Sequence, residues 1–175
     1  MSAHLVAMNK YYFTGLFFLS ILLSSVLNAQ TVTAVQASVE VTGQVVSPLD
    51  LNLNDLKKFN QTDIVRKDKA GNDHTYKGVM LSDILQKAGV TLGKELRGKN
   101  LSKYILVEAS DGYEVVFALP ELDNNFTEKK VILAYQEDGK PLPVNDGPFH
   151  VIIQDEKIPA RCVRMVTAIK VEAAL

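Results

Sequence analysis

The stretch Tyr76-Lys77-Gly78-Val79-Met80-Leu81-Ser82-Asp83-Ile84-Leu85-Gln86-Lys87-Ala88-Gly89-Val90 decides how this chain is read. Leu81, Ile84, Leu85 and Ala88 recur at i, i+3, i+4 and i+7, which puts them on one apolar stripe of a helix. Ser82 is the expected N-cap, and Gly89 stands where a left-handed C-terminal cap is wanted. Just upstream, Gln61 to Lys69 and His74 to Lys77 read as strands joined by the turn cluster Ala70-Gly71-Asn72-Asp73. A hairpin that runs straight into a short helix departs from the regular strand–helix alternation of a doubly wound parallel sheet.

Outward from that stretch, Val39, Val41 and Val45 alternate with polar or small neighbours as a half-buried strand, which Ser47-Pro48 breaks. Asn54 is expected to cap a short helix over Asp55 to Phe59. Lys103 to Ala109 and Glu114 to Leu119 form a hairpin about Asp111-Gly112, and Pro120 opens a short helical turn. Val131 to Tyr135 reads as a buried strand and Glu137 to Lys140 as a turn. Pro141 to Pro148 is irregular because its prolines cannot donate to a ladder. Phe149 to Ile153 and Arg161 to Val171 supply the last strands. The expectation is α+β, with about eight strands in mixed or antiparallel sheets and two or three short helices.

The chain has 175 residues, room for one domain of ordinary size, and its 47% hydrophobic and 22% charged content is globular. With 19 Lys+Arg against 20 Asp+Glu, it has no cationic excess to neutralise nucleic acid or an anionic membrane. Lys10 is the only charged residue among the first 29, and an apolar run from Leu16 to Leu27 follows it, closing on Asn28-Ala29. That pattern is a secretory signal peptide, too short to span a bilayer, with cleavage expected after Ala29. Residues 1–29 are therefore expected to be an address and 30–175 a single domain. The location expected is periplasmic or secreted, with no membrane attachment after cleavage.

One cysteine can neither close an internal disulfide nor make a Cys-rich zinc site. There is no phosphate-cradling glycine loop and no nucleophile elbow. His74 and His150 have no His, Cys or carboxylate at a recognised metal spacing. His74 therefore reads as a solvated hairpin residue and His150 as a hydrogen-bonded strand residue, the competing reading being a soft metal site of both with Cys162. Cys162 lies in Arg161-Cys162-Val163-Arg164. Strand neighbours point to opposite faces, so both guanidinium groups cannot flank the sulfur, and a small buried hydrophobe is the expected role. Asp111 and Tyr113 read as turn chemistry, or else as polar contacts lining a cleft. Gly147-Pro148-Phe149 is a rigid lead-in that would set His150 at a site mouth.

Taken in order, these motifs resemble the sulfite oxidase-type molybdopterin-binding domain family. The resemblance is carried by Gly78-Val79 through Ala88-Gly89-Val90, by Ser110-Asp111-Gly112-Tyr113, and by Leu133-Ala134-Tyr135 with Asp138-Gly139-Lys140-Pro141-Leu142-Pro143. Gly147-Pro148-Phe149-His150 and the closing Arg161 to Val171 complete it, so that it covers about Val39 to Val171. It implies a β-grasp-like element, export, and a molybdenum–pterin cofactor. In active members a cysteine thiolate from the segment before the Gly-Val helix ligates the metal; here Gln61 to Lys77 has no Cys. His150 occupies the position of an expected Arg, and imidazole holds phosphate less well than guanidinium. Two readings follow. One is a non-catalytic module that keeps the fold, expects no cofactor, and binds a small anionic or pterin-like ligand or a periplasmic protein through Asp111, Tyr113, His150, Arg161 and Arg164. The other is a minimal molybdopterin-dependent oxidoreductase performing two-electron oxo transfer.

Overall fold

Period-two alternation along the apolar runs builds two five-stranded sheets, which a computed structural model describes for residues 36–174. The expected signal peptide lies outside the described residues. The elements are β1 (Ser38–Gly43), β2 (Leu49–Asn52), α1 (Leu53–Leu56), β3 (Gln61–Lys67), β4 (Asp73–Met80) and α2 (Leu81–Lys87). They continue as β5 (Lys103–Ala109), β6 (Glu114–Ala118), β7 (Val131–Glu137), β8 (Lys140–Pro141), β9 (His150–Ile153) and β10 (Val166–Ala173). The first sheet runs β2-β1-β10-β5-β6; only β1 and β10 pair in parallel. The second runs β3-β4-β7-β8, with β9 also paired to β7, all antiparallel. The α+β expectation with mixed sheets and few short helices is met.

The main core gathers Val39 and Val41, Ile105 and Val107, and Ile169 and Val171 from the first sheet. Val79, Leu133, Tyr135, Val151 and Ile153 join it from the second. The stripe of α2, Leu81, Ile84, Leu85 and Ala88, is fully buried in the same core, each of the larger side chains contributing roughly 1.5–3 kcal/mol. Along β7 every residue from Val131 to Tyr135 is buried, so the second sheet carries apolar groups on both faces. Its other face packs Ile64, Ile132, Ala134 and Ile152, with Tyr76 and Met80 against them.

Three local expectations are corrected. Helix α1 is capped by Asn52, not Asn54: its Oδ1 accepts from the backbone N–H of Asn54 at 2.8 Å and of Asp55 at 3.2 Å. The cap moves because β2, an edge strand the sequence did not announce, ends on Asn52. Ser82 is not the cap of α2; β4 runs unbroken into the helix, Met80 takes the cap position without a side-chain bond, and Ser82 is buried inside. The last strand begins at Val166 rather than Arg161, because Pro159–Arg161 forms a 3-10 turn and Met165 adopts φ 49°. Gly89 takes the left-handed conformation expected of it, at φ 76°.

At Gly78 the ladder between β4 and β7 slips its register, and a Cβ there would lie 2.2 Å from the Leu133 carbonyl oxygen. Glycine is required by this close approach and not by its φ. Gly78→Ala is expected to cost about 1–3 kcal/mol, read as a lowered urea midpoint with an unchanged slope. An unshifted midpoint would contradict the close approach.

Candidate functional site

On the second sheet, residues two apart along a strand share a face. Arg66 follows Ile64 on β3, Tyr76 pairs with Ile64 from β4, and His150 pairs with Ala134 from β9. The face opposite the main core therefore mixes apolar side chains with a guanidinium, a phenol and an imidazole.

Arg66 reaches from this edge strand to the far side of the sheet. Its Nη1 donates to the Ile153 carbonyl at 2.7 Å and to Cys162 Sγ at 3.0 Å, and its Nη2 donates to the Glu156 carbonyl at 3.0 Å. Cys162 is 9% exposed. Burial pushes its thiol above the ordinary value, Glu156 adding to the shift while Arg66 and Arg161 oppose it. The sulfur is thus a buried group held as the thiol, as expected, but with a charged partner that only the folded chain supplies. Its cationic neighbour comes from β3 and not from the flanking arginines in sequence.

His150 is 7% exposed, and neither ring nitrogen has a hydrogen-bond partner among the described residues. Its ring meets the Tyr76 ring edge-on, centroids 6.1 Å apart at 81°. Burial lowers its pKa to about 4, against a partial counter-pull from Asp146 and the Cys162 backbone, and Arg164 and Arg66 lower it further. The expectation of a hydrogen-bonded strand histidine holds for its strand position and fails for its nitrogens. Tyr76 donates to Glu137 Oε1 at 3.0 Å, and burial, foremost, with the Glu137 carboxylate pushes its phenol well above the usual range.

The other residues named from the sequence are spread over neighbouring surfaces. Asp111 is exposed and its Oδ1 accepts from the Tyr113 backbone N–H at 3.0 Å, which is the turn role. Tyr113 is half-exposed and donates to the Ala160 carbonyl at 2.7 Å, which ties the hairpin turn to the segment carrying Arg161. Arg161 sits 5.2 Å over the Phe117 ring and pairs with Glu121 at 2.8 Å and Glu156 at 3.0 Å. Those acids raise its pKa above an already high value. Arg164 is largely exposed and pairs with Asp146 at 3.0 Å. The structure thus brings Tyr113 and Arg161 together at one end of residues 159–165, with Arg164 and the surroundings of His150 at the other. Arg161 also borders an open cleft of about 420 Å³ with Phe117, Phe126, Lys129, Val131 and Ile153. Arg66 was missed. The signal available was its place two residues after the inward-facing Ile64, at a position that turns a cation toward the sheet.

The sequence matches the family described as oxidoreductase molybdopterin binding domain over residues 26–174. Among solved structures, the fold is similar to the sulfane dehydrogenase SoxCD from Paracoccus pantotrophus, at a TM-score of 0.59 and 18% identity. The likeness covers 79% of this chain and 39% of that one, so this chain spans well under half of that protein, and the likeness speaks for the fold alone. No curated protein matches.

A buried neutral imidazole makes stability depend on acid. The unfolded chain protonates His150 near its ordinary pKa of 6.5 and the folded chain only near 4. Between those values the unfolded state binds more protons, so stability falls as pH drops through the window, by up to about 3 kcal/mol. His74, whose pKa is raised chiefly by its hydrogen bond to Asp138, acts in the opposite sense, its contribution being lost as pH rises. His150→Phe is expected to flatten the acid limb of a urea-midpoint profile taken between pH 7 and 4.5. A limb as steep as wild type would remove His150 as its cause.

Proposed function

Because the chain belongs to the oxidoreductase molybdopterin binding domain family, we propose that it is an exported member that keeps the fold as a non-catalytic binding module for a small anionic or pterin-like ligand. One observation carries this reading: the chain's single thiol is held by Arg66 on the very hairpin from which a metal-ligating thiolate is expected. A thiol that is buried, protonated and hydrogen-bonded to a guanidinium is a poor soft ligand, since the thiolate is the form that binds metal. A cation at 3.0 Å from the sulfur also opposes a second cation there.

The residues present do not fit the family's molybdenum–pterin group. Gln61 to Met80 offers no thiol. What remains is recognition. The cleft beside Arg161 joins the apolar walls of Phe117, Phe126, Val131 and Ile153 to a rim of Lys129, Arg161 and the Arg161 partner Glu121, within the size range of small-ligand sites. An anionic ligand would enter by exchanging carboxylate partners of Arg161, which costs little at a partly exposed ion pair.

Two measurements test the reading. Protein purified from an exporting host grown with molybdate is expected to carry far less than one molybdenum and one pterin per chain; near-stoichiometric loading would establish the oxidoreductase alternative instead. Cys162→Ala is expected to lower stability by about 1–2 kcal/mol by emptying a packed position and leaving Arg66 one acceptor short. It should leave ligand binding at the Arg161 cleft unchanged. Loss of binding in a folded Cys162→Ala protein would assign the sulfur a direct role.

A further inference from the structure

The β4–β7 ladder brings His74 to a pair of carboxylates that the sequence places more than sixty residues away. His74 Nδ1 lies 2.7 Å from Asp138 Oδ2 and 3.3 Å from Glu137 Oε1. One ligand atom from each of His74, Glu137 and Asp138 falls within 4.8 Å of the others. Donors around a divalent ion at about 2.0–2.2 Å stand roughly 3–4 Å apart; the Nδ1–Glu137 Oε1 spacing matches that, and the 2.7 Å hydrogen bond from Nδ1 to Asp138 would open as the ion displaces its proton. The backbone fixes them. Asp138 N–H donates to the Thr75 carbonyl at 2.8 Å, and Thr75 N–H returns a 2.8 Å bond to Asp138 Oδ1. That leaves Oδ2 for His74.

The surroundings match a metal-bound imidazole. A ligating histidine usually presents its other nitrogen to a carboxylate, which fixes the tautomer, and ligating carboxylates are themselves hydrogen-bonded. His74 Nε2 faces Asp68 Oδ2 at 3.5 Å, and the Glu137 carboxylate accepts from Tyr76 at 3.0 Å. Asp68 is locked in its turn by the N–H groups of Ala70 and Asn72, each at 2.8 Å. Charge points the same way. Asp68, Glu137 and Asp138 have no Lys or Arg ion-pair partner among the described residues and share one histidine; Lys140 acts on Asp138 only from a distance.

We propose that His74 Nδ1, Glu137 and Asp138 form a surface site for a divalent transition cation of the zinc class, with Asp68 and Tyr76 as its outer partners. The imidazole selects such an ion over calcium or magnesium, which prefer all-oxygen shells. The site uses neither Cys162 nor the Arg161 cleft, although His74 pairs with Arg66 across the β3–β4 ladder, and it stands whether or not the binding-module reading does.

The test is calorimetric titration of the full chain with Zn²⁺ alone in a non-chelating buffer, repeated with Co²⁺ to read the d–d absorption of a nitrogen–oxygen shell. Saturable 1:1 binding is expected, weakened roughly 100-fold in His74→Ala and about tenfold or more in Asp138→Asn, which keeps the turn geometry. Asp63→Asn, at the unrelated Asp63–Lys77 pair, should bind as wild type does. Should His74→Ala fail to fold, Asp138→Asn and Glu137→Gln decide. Absent saturation, undiminished binding in the folded variants, or displacement of Zn²⁺ by equimolar Ca²⁺ would each overturn the proposal, the last by reducing the cluster to an unselective acidic patch.

Discussion

Strand β7 has no solvent side from Val131 to Tyr135, and much of the molecule follows from that constraint. A strand buried on both faces needs cover twice. The first sheet and α2 cover one face through the main core. The other face is covered by a much smaller apolar group, Ile64, Ile132, Ala134 and Ile152, which is too little to fill it. Arg66, Tyr76 and His150 complete that face. A polar group in that setting must find a partner or lose its charge. Arg66 finds three acceptors and Tyr76 finds Glu137, while His150 finds none and stays neutral.

This division separates the residues that make the fold from those that line the second face. The core that makes the fold is intact, so the chain keeps the architecture. The polar inventory of the second face centres on a guanidinium–thiol contact, with acidic partners beside the nearby arginines. Fold and function are separable because the packing that sets one needs only volume and alternation, whereas the other needs particular donors at particular atoms.

Most of the architecture was legible in the chain. The α2 stripe, the Asp111-Gly112 hairpin, the buried β7 run and the Gly89 cap all announce themselves through local periodicity or turn chemistry. The errors fell where a neighbour decides. Asn52 rather than Asn54 caps α1 because β2 pairs with β1 and ends there, and β2 is too short to declare itself. Ser82 lost its cap role because β4 leaves no loop before the helix. Of the residues named for a site, Tyr113 bonds the Ala160 carbonyl, one residue before Arg161, while Asp111 caps its own turn.

By itself the sequence determined the class of fold, the family, the want of a second thiol, and the alternation of faces along the longer strands, because these depend on residue type and short-range spacing. Only the tertiary structure decided that Arg66 holds Cys162, that His150 is stripped of partners, and that His74 meets Glu137 and Asp138. Each of those contacts joins groups tens of residues apart, and their distances are set by strand register and by the loops that fold over the sheet, which no local pattern encodes.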